Sequence, residues 1–125
     1  MNTSADLPRV LVVDDNPDAS EVLALLIELE GFAAATARTL AQAREAVTQR
    51  PPQLVFLDVN LPDGSGLDLL APMKADPRTA GARVVMLSGL IDDRVREQAL
   101  RLGASDYIVK PLGHEQLTAL LDAVR

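Results

Sequence analysis

Four short segments of the chain are apolar without interruption: 10–13 (VLVV), 54–57 (LVFL), 84–87 (VVML) and 107–109 (YIV). A strand with one wet face would alternate apolar and polar residues. Unbroken runs of Val, Ile and Leu instead predict parallel strands covered on both faces. A fifth run, 32–35 (FAAA), is a weaker strand signal because alanine is a poor strand former. The intervening stretches carry helical spacing. Ala19, Val22, Leu23 and Leu26 share one helical face, with Asn16 placed to cap it, Pro17 in its first turn and Gly31 past its end. Leu40, Ala43 and Val47 repeat the spacing after Thr39, Val95, Ala99 and Leu102 do so before Gly103, and Leu117, Leu120, Leu121 and Val124 do so last. A helix over 66–75 contains Pro72, which lacks a backbone donor and should bend or shorten it. Five strands alternating with five helices through right-handed crossovers predict a doubly wound α/β fold, with a parallel sheet between two helical layers.

Composition narrows this picture. A length of 125 residues supplies one hydrophobic core. No apolar run approaches the roughly 18 residues of a membrane span, so no membrane partner is expected. The balance of 12 Lys+Arg against 18 Asp+Glu gives a formal charge of -6, which repels a polyanion and argues against direct nucleic-acid binding. With no cysteine, disulfides, thiolate catalysis and zinc-thiolate sites are excluded. Residues 1–8 lack the charged and apolar regions of a signal peptide and are read as a flexible N-terminal leader ahead of a domain at 9–125. The expected compartment is the cytoplasm.

In an open parallel sheet, ligands bind outside the carboxyl ends of the strands. Chemistry-bearing residues stand at four of those ends: Asp14 and Asp15 after the first strand, Asp58 after the third, Ser88 after the fourth, and Lys110 with Pro111 after the fifth. Three carboxylates on one rim repel one another unless a cation joins them, and an all-oxygen donor set favours a hard metal such as Mg²⁺. Taken singly, each residue has an ordinary reading: a strand-end Asp as turn former, Ser88 as a loop hydroxyl, Lys110 as a solvated charge. Their joint placement in consecutive order points to a site.

These residues resemble the receiver domain of two-component response regulators. The resemblance rests on Val10-Leu11-Val12-Val13-Asp14-Asp15-Asn16, Leu57-Asp58-Val59-Asn60-Leu61-Pro62-Asp63-Gly64-Ser65-Gly66, Leu87-Ser88-Gly89 and Gly103-Ala104-Ser105-Asp106-Tyr107-Ile108-Val109-Lys110-Pro111, and it covers residues 9–125. It implies a flavodoxin-like (βα)5 domain of strand order 2-1-3-4-5, an order carried over from the family. It further implies that Asp58 accepts a phosphoryl group from a sensor histidine kinase, a phosphotransfer protein or a small phosphodonor. Asp14, Asp15, Asp58 and the Asn60 carbonyl would hold Mg²⁺, while Lys110 and the Ser88 hydroxyl flank the transferring oxygens. The segment before Pro111 matches one that carries a cis peptide in the family. Tyr107 matches the family's switch aromatic, which turns inward as Ser88 moves toward the phosphoryl group. The fourth helix, fifth strand and fifth helix would then act on a downstream effector protein or domain, with a phosphorylation-dependent homodimer as a further implication. Such a domain catalyses its own phosphorylation and dephosphorylation without being a conventional enzyme. Ser88 stands where the family often has Thr, and Asn60 and Leu90 occupy positions that tune phosphoryl lifetime.

Two alternatives remain at this level. A phosphatase of the haloacid dehalogenase type uses a strand-end Asp, a Ser or Thr, a Lys and Mg²⁺ in this same order. It needs a second acid two residues after the nucleophile, where this chain has Asn60, and its acidic pair follows the lysine. The other alternative is a receiver that binds partners without phosphate. Arg94, Arg96 and Arg101 read as a solvated helix surface, and His114, the single histidine, as a surface residue.

Overall fold

The computed structural model describes residues 7–125. Of the expected leader, residues 1–6 lie outside the described residues. The five expected strands are β1 (Arg9–Val13), β2 (Ala33–Ala37), β3 (Leu54–Asp58), β4 (Arg83–Ser88) and β5 (Asp106–Val109). All pair in parallel, in the order β2-β1-β3-β4-β5. The helices are α1 (Pro17–Leu29), α2 (Leu40–Gln49), α3 (Leu70–Ala75), α4 (Asp93–Arg101) and α5 (His114–Asp122). This is the flavodoxin-like arrangement expected from the sequence, and the Lys110–Pro111 peptide is cis.

Successive strand residues point to opposite faces, which divides the core in two. Val10 and Val12 join Ile27, Phe32, Phe56, Leu117 and Leu121 beneath α1 and α5. Leu11 and Val13 join Ala43, Val55, Leu57, Met73 and Ala99 beneath α2, α3 and α4. Both faces of the central strands are dry, which explains why their sequences show no alternation.

The helix boundaries follow the local chemistry. The Asn16 side chain accepts from the Asp18 and Ala19 amides, and Pro17 occupies the first helical position, where its missing N–H costs nothing. Gly31 and Gly103, with φ of 92° and 111°, turn the chain after α1 and α4. Thr39 caps α2 through the Gln42 amide.

Three expectations needed correction. The second strand runs over Ala33–Ala37 and not 32–35, because Phe32 leaves the sheet edge and inserts into the core at 2% exposure. The buried stripe of α1 is Ser20, Ala24 and Ile27 with Leu23 beside it. Val22 and Leu26, expected on that stripe, are 60% and 40% exposed. The helix carries two apolar stripes, and the smaller side chains of Ser20 and Ala24 allow the closer approach to the sheet. Around Pro72 the expected shortening is observed: the chain forms a 3₁₀ turn over Gly66–Leu69 and then the short α3, so the proline falls in the first α-helical turn, where no α-type donor is required. The last helix stops at Asp122, and Val124 packs against the core from beyond its end.

Candidate functional site

Strand order brings the acids together. β1 and β3 are neighbours, so Asp14 and Asp15, just past β1, meet Asp58 at the end of β3. One carboxylate oxygen from each of the three lies within 4.8 Å of the others. Asp14 and Asp58 are buried and Asp15 is exposed. β4 and β5 complete the rim: Ser88 pairs in register with Val109, which places Lys110 one step beyond.

Lys110 reaches back across the rim, its Nζ donating to Asp58 Oδ2 at 3.0 Å and to Asp14 Oδ2 at 3.3 Å. Partial burial works against the ammonium, but the hydrogen bonds and charges of Asp58 and Asp14 outweigh it and hold the lysine above its ordinary value of 10.5. The other oxygens are oriented by backbone amides. Asn16 N–H donates to Asp14 Oδ1 at 2.9 Å, and Asn60 N–H donates to Asp58 Oδ1 at 3.3 Å. Three carboxylates facing one ammonium leave two negative charges uncompensated. An all-oxygen donor set with that excess fits a hard divalent cation.

The loop after Asp58 is more ordered than its sequence suggests. Asn60–Leu61 and Gly64–Ser65 form a two-rung antiparallel hairpin. At its base Gly66 N–H donates to Val59 O at 2.7 Å and Val59 N–H to Leu87 O at 3.1 Å. A Cβ on Gly66 would collide with the Asp58 carbonyl oxygen, so only glycine permits this approach. Asp63 lies within the segment that follows Asp58, where the sequence alone assigns it no role. Its carboxylate accepts from the Leu40 amide at 2.7 Å and the Ala41 amide at 3.0 Å, at the start of α2. These two donors, chiefly Leu40, hold Asp63 below the ordinary carboxylate value of 3.8. A carboxylate 23 residues distant in sequence from its partner leaves no local signal.

Ser88 and Tyr107 are joined through Leu90. Ser88 Oγ donates to Leu90 O at 3.1 Å and accepts from Leu90 N–H at 3.2 Å, while the Tyr107 hydroxyl donates to the same carbonyl at 3.3 Å. Tyr107 is buried although its strand, β5, lies at the sheet edge. Leu90 and Ile91 are 71% and 83% exposed. Arg94, Arg96, Arg101 and His114 are exposed, as expected. On the other flank a groove of about 510 Å³ opens beside the carboxylates, lined by Asp14, Lys110, Pro111, Val22, Leu23 and Leu26. The exposed Val22, Leu25, Leu26 and Leu29 extend its apolar wall along α1.

A parallel sheet in this order, with an acidic trio and a lysine at its carboxyl rim, is the arrangement the receiver resemblance implied. Residues 10–122 match the family described as "Response regulator receiver domain", and the chain belongs to that family. That membership removes the footing of the phosphatase alternative. The chain is similar to transcriptional regulatory protein KdpE of Mycobacterium tuberculosis, at 39% identity over 91% of this chain and 49% of the relative. It is also similar to the phosphate regulon transcriptional regulatory protein PhoB of Pseudomonas aeruginosa, at 35% identity over 92% and 50%. It thus spans about half the length of these relatives. Among solved structures, a CheY-like receiver domain from Methylobacillus flagellatus superimposes with a TM-score of 0.84 at 31% identity, covering 95% of this chain and 99% of that one. A Burkholderia pseudomallei response regulator, solved with a phosphorylated aspartic acid, calcium ion and citrate, gives a TM-score of 0.83 at 28% identity over 94% and 66%. No described helix is long and apolar enough to cross a membrane.

Proposed function

We propose that this chain, over residues 9–125, is a phosphoacceptor receiver that takes a phosphoryl group onto Asp58 and passes the change to its α4-β5-α5 face. The observation that carries the reading is the Lys110 ammonium bridging Asp58 and Asp14 within a cluster of three carboxylates. Phosphoryl transfer demands alignment and charge neutralisation more than covalent assistance, and this rim is built for both. An Asp58 oxygen forms the new P–O bond as the P–N bond of a phosphohistidine breaks, its electron pair leaving with the imidazole nitrogen. Lys110 then exchanges a carboxylate for a phosphoryl oxygen, and the Ser88 hydroxyl donates to another. Asp14, Asp15, Asp58 and the Asn60 carbonyl would hold Mg²⁺, which when bound supplies the remaining neutralisation of phosphoryl charge.

The phosphoryl group brings nearly two negative charges to the rim. Drawing Ser88 toward it removes a donor from Leu90 O and leaves Tyr107 as that carbonyl's remaining side-chain partner, which supports Ser88 and Tyr107 as the switch pair. The donor is a sensor kinase or phosphotransfer protein: an apolar stripe running along α1 beside the groove suits a protein surface better than a small molecule. The target is an effector protein, or an output domain of the kind carried by the longer relatives.

Intact-mass measurement tests the assignment. With Mg²⁺ and acetyl phosphate the chain should gain one phosphoryl group that hydroxylamine removes, and Asp58→Asn should gain none. A mass gain that survives Asp58→Asn would overturn the assignment.

A further inference from the structure

We propose that Asp63 is a positioning residue that fixes the Asn60 carbonyl by tethering the phosphoacceptor loop to the start of α2. The proposal rests on the reading of the rim as a Mg²⁺-dependent phosphoacceptor site. The loop leaves β3 at Asp58 and is pinned at its base by Val59 N–H on Leu87 O and by Gly66 N–H on Val59 O. Its far end is pinned by Asp63, each of whose carboxylate oxygens takes one amide of α2. Apolar contact reinforces the tether. Leu61 is buried in the same cluster as Leu40, and Gly64, at φ 153°, lies so near that an added Cβ would be 3.3 Å from Leu40 Cδ2.

Asn60 sits between the two pins, in the first rung of the hairpin with Ser65. Its amide is already turned to Asp58 Oδ1. With both ends of so short a hairpin anchored, the Asn60 peptide has little freedom to rotate, and its carbonyl is held in one direction. Residues that orient a metal ligand without touching the metal commonly change affinity by about 10- to 100-fold when removed.

The competing explanation is that Asp63 only caps α2, as carboxylates at helix N-termini do. Thr39 separates the two, because its Oγ1 caps the same helix end through the Gln42 amide at 3.0 Å and lies outside the phosphoacceptor loop. Both Asp63→Ala and Thr39→Ala should lower the melting temperature. The discriminating measurement is the Mg²⁺ titration of the 59–66 backbone amides by NMR. Asp63→Ala should shift the half-saturating Mg²⁺ concentration upward by about tenfold, with Asp63→Asn between it and wild type, since one acceptor oxygen remains. Thr39→Ala should leave it unchanged. The amides of Leu40 and Ala41 should lose hydrogen-exchange protection in Asp63→Ala. Equal half-saturation in wild type and Asp63→Ala, or an equal shift in Thr39→Ala, overturns the tether and leaves a simple cap. A wild-type chain that shows no Mg²⁺ response and gains no phosphoryl group from acetyl phosphate overturns the underlying site reading, and the tether with it. Should Asp63→Ala fail to fold, Asp63→Asn carries the same comparison.

Discussion

Replacing Asp15 by Asn should stabilise the metal-free protein and at the same time damage its site. Asp15 is exposed and takes no part in the lysine ion pairs, which go to Asp14 and Asp58. Its carboxylate faces those two within 4.8 Å. At that separation a pair of like charges in a water-like dielectric repels by roughly 0.9 kcal/mol, and physiological salt roughly halves it. Two such pairs give about 1 kcal/mol of repulsion, and the nearby Lys110 ammonium offsets roughly half of it, leaving about 0.5 kcal/mol of relief, or about 2 °C in melting temperature for a chain of this length. Added Mg²⁺ should reverse the order. A ligand at 100 times its dissociation constant stabilises by about 2.7 kcal/mol, and wild type should collect that gain where Asp15→Asn, missing one ligand, collects much less. The assay is thermal unfolding by circular dichroism with and without Mg²⁺, and the two curves should exchange places. If Asp15→Asn melts below wild type in metal-free buffer, the repulsion argument is wrong. If both gain equally from Mg²⁺, Asp15 is no ligand.

Two further outcomes follow from the loop after β3. Gly66→Ala places a methyl group against the Asp58 carbonyl oxygen, 3.1 Å from its carbon and 3.2 Å from Leu57 Cγ. Overpacking of this kind costs about 1–3 kcal/mol, so the denaturant midpoint should fall and phosphorylation should weaken; an unchanged midpoint would show that the hairpin shifts freely. Asp63, held below its ordinary value by the Leu40 and Ala41 amides, contributes stability that is full above pH 3.8 and fades as pH drops through its lowered value. The stability gap between wild type and Asp63→Asn should therefore be widest near neutrality and close below that point, and a gap that persists in acid would refute the tether's ionic character.

The sequence was most readable where physics is local. The central strands announced themselves because both their faces are buried, and Asn16, Thr39 and Gly31 marked helix ends by their own side-chain or backbone chemistry. Asp14, Asp15, Asp58, Ser88 and Lys110 could be placed together for a related reason: they follow apolar runs, and a parallel sheet delivers every such end to one rim, whereas Asn60 and Tyr107 were singled out only by the family resemblance. What stayed hidden depended on distance or on choice between near equals. Asp63 meets α2 across 23 residues of sequence. The phase of α1 could not be read because Val22, Leu25, Leu26 and Leu29 form a stripe as apolar as the one that packs. The alanines of β2 gave its edge no boundary, and Phe32 drew the expected strand one residue early.

The carbonyl of Leu90 has two lone pairs, and two hydroxyls, those of Ser88 and Tyr107, now donate to it. A hydroxyl has only one hydrogen to give. A strong bond from Ser88 to an oxygen at the carboxylate rim would therefore be made at the expense of the one it now gives Leu90. The two destinations compete for a single proton. If the rim is occupied as proposed, a turn of the Ser88 hydroxyl toward it would leave one acceptor position on Leu90 O, two residues away, without its side-chain donor, a form of arbitration that would need no large motion to begin.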